Sequence, residues 1–132
     1  SLYILLGVGG VERWQEHAEG TAAVLNKIDP HFIRVRNLIP QAGSPLFTMR
    51  QQGDFTLPPP EAILQEERRI IENLEVTCEF LSDHISNYLS LNGQMPQDKA
   101  RLLSALDREI AHLSEDPSLL EGYRLKERLR HL

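Results

Sequence analysis

The chain alternates apolar runs with amphipathic stretches, and the period of each run names an element. Residues 2–8 are almost continuously apolar, the pattern of a parallel strand covered on both faces. Gly7, Gly9 and Gly10 close that run in a Gly-Val-Gly-Gly turn. Over 12–28, Trp14, Ala18, Ala22, Leu25 and Ile28 recur at helical spacing. Asp29-Pro30 stops this helix, because the residue before proline is pushed out of the α region. A second strand is predicted over 32–39. Strand–helix–strand units of this kind have right-handed crossovers and parallel strands.

Residues 41–60 form a long connection rich in Pro and Gly, and such loops are usually functional or linking. Three prolines after Leu57 keep the chain extended, and Pro60 suits the first position of a helix over 61–74. Ile63, Ile70, Ile71 and Leu74 make its apolar face, whereas Glu66, Glu67, Arg68, Arg69 and Glu72 read as a solvated one. Residues 76–81 are a candidate short third strand. The polar stretch 82–87 is compact, and Asn92-Gly93 marks a turn. Pro96 opens a helix to 113 with Leu103, Leu106, Ile110 and Leu113 at heptad-like spacing. Asp116-Pro117 begins a last helix whose apolar side is Leu120, Tyr123 and Leu129. The fold class expected is α/β, divided into 1–56, 57–94 and a helical extension over 95–132.

Composition narrows the partners. At 132 residues, with 41% hydrophobic and 25% charged residues, the chain can bury an ordinary core and is not expected to be disordered. A net charge of −5 argues against a nucleic-acid partner, which needs a basic face. No apolar run approaches the roughly 20 residues that span a bilayer, and no membrane association is expected. Cys78 is the only cysteine, which excludes an intrachain disulfide or a Cys-rich metal site. It reads as a small buried hydrophobe and fits a cytoplasmic location. The run 2–8 has no polar lead-in, so the chain is read as a piece of a longer protein.

Three constellations carry possible chemistry. The glycine turn stands at the carboxyl end of a strand and leads into a helix, where ligands of α/β folds bind. Arg13 replaces the third glycine of a dinucleotide fingerprint, so the residues leave a ligand loop and a simple tight turn equally open. Arg34 and Arg36 alternate with Ile33 and Val35, giving one apolar and one basic strand face. If helices cover the apolar face, both guanidiniums point inward and need anions. Otherwise they meet solvent, the reading the residues alone favour. Asp83, His84, Ser86 and Asn87 include hydrolase residue types, but hydrogen-bonded turn structure is the expected role. The five histidines are scattered in no metal-ligand pattern.

Taken in order, several stretches resemble the C-terminal part of radical S-adenosylmethionine enzymes. They are Ile4 to Gly10, His17-Ala18-Glu19-Gly20-Thr21-Ala22, Ile28 to Arg36, and Ile39-Pro40-Gln41-Ala42-Gly43-Ser44-Pro45-Leu46. Ser82 to Asn87 and Leu91 to Pro96 are similar to the tail of an iron–sulfur oxidoreductase-like branch, so the likeness covers most of residues 3–110. It implies a partial (β/α) barrel whose fifth and sixth strands are the two predicted first here. It further implies that Gly7, Gly9, Gly10 and Glu12 meet S-adenosylmethionine, and that Arg34, Arg36 and Asn37 face cofactor or substrate. The [4Fe-4S] cluster of such enzymes hangs on three cysteines of an N-terminal half, and Cys78 cannot replace them. The chain alone is therefore expected to be inactive, to hold no cofactor tightly, and to have that missing half as partner. Its open sheet edge is expected to pair with another copy. The alternative is a non-catalytic α/β interaction module with a helical docking tail. A complete small phosphate-binding domain is disfavoured because only two firm strands are predicted.

Overall fold

Side chains alternate across a strand, and this period sorts the sheet into two unlike faces. In β1 (Leu2–Leu6) Ile4 and Leu6 are buried, while Tyr3 and Leu5 on the other side are 61% and 39% exposed. In β2 (Phe32–Asn37) the pattern repeats, with Ile33, Val35 and Asn37 buried and Phe32, Arg34 and Arg36 exposed. These relations come from a computed structural model that describes residues 2–84 and 86–116, together with 118, 121 and 122.

The sheet is four-stranded in the order β1-β2-β3-β4, completed by β3 (Cys78–Ser82) and β4 (Leu91–Met95). β1, β2 and β3 are parallel, and β4 returns antiparallel to β3. Helices α1 (Gly10–Ile28), α3 (Pro60–Asn73) and α4 (Lys99–Glu115) cover the face that carries Ile4, Ile33, Val35, Phe80 and Met95. Ala18 and Ala22 of α1 and Ile63, Ile70 and Ile71 of α3 join the same core, as do Leu102 and Leu106 of α4. Small alanines on α1 let it lie close beside α3.

Several expectations are corrected. β1 ends at Leu6 and is buried on one face, because no described element lies over Tyr3 and Leu5. The connection 41–60 contains the short helix α2 (Pro45–Gln52), capped by Ser44 Oγ accepting from Phe47 N–H and stopped at Gly53 in the left-handed region. Asn92-Gly93 lies inside β4 rather than in a turn. Gly93 is there because α4 crosses so closely that a Cβ would stand 2.9 Å from Asp98 Cβ and 3.2 Å from Leu102 Cδ2. The helix expected from Pro96 starts at Lys99, and its inner residues are Leu102, Leu106 and Leu113, with Leu103 and Ile110 half-buried. β4 straddles the boundary drawn at residue 94, so the three expected segments share one sheet and one core. Four strands are present instead of two, which removes the objection to a complete small domain. The side chains of Leu120, Tyr123 and Leu129 lie outside the described residues.

No helix among the described residues is long and apolar enough to cross a membrane.

Candidate functional site

The residues expected to act together separate into three places. At the end of β1 the chain turns through Gly7, with φ of 89°, and Gly10, with φ of 68°. Both values belong to the left-handed region, which side chains resist. Gly10 is also close-packed: a Cβ there would meet the Phe55 ring and Thr56 O at 3.2 Å. Thr56 O accepts the Val11 N–H at 3.1 Å, so the segment after α2 is fastened across the first turn of α1. Gly9, Gly10 and Glu12 line a groove of about 380 Å³ with Arg13, Met49 and Phe55. Gly7 does not line it.

Gly7 is instead held from below by a residue first assigned to a solvated face. Its N–H donates to Glu66 Oε2 at 2.9 Å, and Glu66 Oε1 pairs with His17 Nδ1 of α1. Glu66 is fully buried and Glu67 is 3% exposed, the correction with the largest consequence. The signal was legible. Positions 66 and 67 fall on the helical repeat that joins Ile63 to Ile70 and Ile71, so both carboxyls point inward, Glu66 at the turn after β1 and at α1, and Glu67 at Ser82 of β3. Burial pushes the Glu67 carboxyl up to about 7, opposed by the Ser82 hydroxyl and assisted by the neighbouring Glu66. Among the described residues Glu67 Oε1 and Asn37 Nδ2 are buried without a hydrogen-bond partner.

Asn37 is thereby separated from Arg34 and Arg36. It shares the parity of Ile33 and Val35 and lies on the helix-covered face, so the expectation that all three look the same way fails on strand alternation. The turn after β3 completes its surroundings. Asn37 N–H donates to Ser86 Oγ at 3.1 Å and to Asn87 Oδ1 at 3.0 Å. Asn87 Nδ2 donates to Val35 O at 2.9 Å and to Ser82 Oγ at 3.0 Å. The β2–β3 ladder stops at Arg34↔Leu81, and these side chains satisfy the backbone beyond it. His84 Nδ1 lies 2.7 Å from Ser86 Oγ and accepts the Ser86 N–H at 3.1 Å. The serine hydroxyl is thus committed inside a buried turn, as the structural reading of 83–87 expects.

The open face of the sheet is the third place. Arg34 stands in register with Tyr3 on one side and Leu81 on the other. The Arg36 guanidinium lies over the Tyr3 ring, 4.9 Å from its centroid. Tyr3, Arg34, Arg36, Leu81, Asp83 and His84 surround a shallow cavity of about 60 Å³. A longer apolar groove of about 540 Å³ runs beside it along the outer edge of β1, between Tyr3 and Leu5 and the Thr21, Val24 and Ile28 side of α1.

Comparison with family models, with curated proteins and with solved structures finds no match. Among the described residues no group of three His, Cys, Asp or Glu side chains is placed to hold a metal ion. Cys78 is buried beneath the helices, where desolvation raises its thiol pKa, so it does not fit a cluster ligand.

Proposed function

We propose that this chain is the trailing part of a radical S-adenosylmethionine barrel, completed by an N-terminal half that carries the cluster. The observation behind this reading is the way the sheet is wound. Among the described residues three parallel strands lie in sequential order with the long helices α1, α3 and α4 on one face, whereas doubly wound sheets place helices on both. A further strand–helix unit added at the free edge of β1 would cover the apolar groove between β1 and α1. The face without helices is then the barrel interior, and Arg34 and Arg36 belong to it.

On this reading S-adenosylmethionine and the cluster would together supply radical hydrogen abstraction when bound. This chain contributes position. Gly9 and Gly10 let the turn pack tightly against Phe55, Thr56 and the first turn of α1, which shapes one wall of the adjoining groove, and Glu12 offers a carboxylate acceptor at its rim. Glu66 and His17 hold the turn from behind.

The test is to read the gene upstream of the codon for Ser1 and express the whole product anaerobically. The expected result is a Cys-x-x-x-Cys-x-x-Cys motif, a [4Fe-4S] signal in the reduced protein and formation of 5′-deoxyadenosine. The chain of residues 1–132, treated with iron and sulfide, should form none. An upstream region without those cysteines would end the proposal and leave the interaction module as the better account.

A further inference from the structure

Among the described residues, Arg34 and Arg36 are two cations without a paired anion. Among the described residues neither guanidinium makes a hydrogen bond or an ion pair. The contrast with the other face of the molecule is informative. Arg68 is engaged by Asp107 and Glu72, and Arg69 by Glu19. Carboxylates are also near enough on the strands for the open face to have paired internally. Glu79 stands in register with Phe32, one same-face step from Arg34, yet no bond forms. Asp83 borders the shallow cavity, but its Oδ2 accepts from Asn92 Nδ2 at 3.1 Å. In a chain of net charge −5, two unpaired guanidiniums on successive same-face positions form a local exception.

Geometry then defines what suits them. Successive same-face residues on a strand stand roughly 7 Å apart, so two planar donor forks converge on one group between them. Around those forks the surface is apolar: Tyr3, Leu5 and Phe32 are exposed, and Leu81 is half-buried. The Tyr3 ring beneath Arg36 fixes one guanidinium in place and offers a free aromatic surface beside it. We propose that this face binds a small organic oxyanion, a carboxylate or phosphate on an apolar or aromatic body. The anionic group sits between Arg34 and Arg36, and the body lies on Tyr3 and its neighbours. The inference deepens the barrel reading by naming a substrate class and rests on it only for that role. The binding itself is a property of the exposed face.

The chain of residues 1–132, labelled with nitrogen-15, is titrated at low salt with phenylacetate, phenyl phosphate, inorganic phosphate and neutral benzyl alcohol. Shifts of the Arg34 and Arg36 Nε–H signals are expected with at least one of the two organic anions, and the tighter of them assigns carboxylate or phosphate. Inorganic phosphate should bind at least threefold more weakly than phenyl phosphate, and benzyl alcohol should not bind. R34Q together with R36Q should weaken binding at least tenfold, and Y3A several-fold for the organic anions only. K27Q, a cation at the far end of α1, is the control and should change nothing. Binding by neither organic anion overturns the proposal, as does equal binding by the double variant or an equal loss in K27Q. The two exposed arginines can be replaced without touching the core, and an unchanged amide spectrum outside the sheet face verifies it. Failure here leaves the upstream-cysteine test standing, and failure there leaves a measured anion affinity.

Discussion

Glu67 shows how one residue couples the layer beneath α3 to pH. Its carboxyl is buried against the sheet, one oxygen is unpartnered, and the folded pKa of about 7 lies above the ordinary 4.5. Below pH 4.5 the group is protonated in both folded and unfolded chains and has no effect. As pH rises from 4.5 to 7 the unfolded chain releases this proton first, so stability falls. Above 7 the loss is complete and amounts to about 3 kcal/mol. Glu67→Gln removes the ionisation, so the variant should lose less stability between pH 5 and pH 8 than the parent chain. Urea unfolding of both at the two pH values measures it, and parallel pH profiles would refute the assignment. Sequence pattern located this residue but misjudged it. The run Glu-Glu-Arg-Arg has the composition of a surface, while its phase relative to Ile63 and Ile70 belongs to the core. Phase decided the outcome because α3 is covered by the sheet below and flanked by α1 and α4.

At the scale of elements, the turn after β3 does the work of missing ladder. Asn87 alone satisfies Val35 O, Ser82 Oγ and one acceptor need of Asn37 N–H. Asn87→Ala removes the donor to buried Val35 O and one partner each from Ser82 Oγ and Asn37 N–H, and a buried polar group left unpaired costs on the order of 1–3 kcal/mol. A loss of about 3 kcal/mol is expected, visible in urea unfolding and in faster amide exchange at Asn37. A change below 1 kcal/mol would mean that the turn is not a structural tie. Gly93→Ala tests the neighbouring contact: a methyl group 2.9 Å from Asp98 Cβ must push α4 outward, at a cost of about 2 kcal/mol. The elements themselves were legible where a single period dominates. β1, α1, β2 and α3 lie within a few residues of the pattern that predicts them. β4 was not, because Asn-Gly ordinarily signals a turn, and only the passage of α4 over Gly93 explains a glycine there. α2 was hidden in a Pro- and Gly-rich segment, although Ser44-Pro45 at one end and Gly53 at the other are helix start and stop signals. The arginine face was legible by parity, and the same parity separates Asn37 from it.

For the whole molecule, the deciding feature among the described residues is the open edge of β1. Among the described residues nothing pairs with the outer edge of β1, whose backbone groups are a template for another strand. Beside that edge Tyr3 and Leu5 of the strand and Val24 and Ile28 of the helix expose apolar surface along one groove. A free strand edge and an apolar groove in one place favour association, since added chain would satisfy hydrogen bonds and bury hydrocarbon together. In a purified sample of this chain the available material is a second copy. The chain should therefore exceed its 15.1 kDa monomer mass in light scattering, increasingly so as concentration rises. Val24→Glu with Ile28→Glu places like charges on facing copies and should return the mass toward the monomer. Both side chains are 55% exposed, so the fold has no stake in them. A constant monomer mass in the parent chain over a hundredfold range of concentration would show that the edge is closed to its own copies. Association that survives both substitutions would instead move the contact to another surface. If the barrel proposal holds, co-expression with the upstream half should suppress self-association, because the same edge and groove would then be filled by the preceding strand and helix.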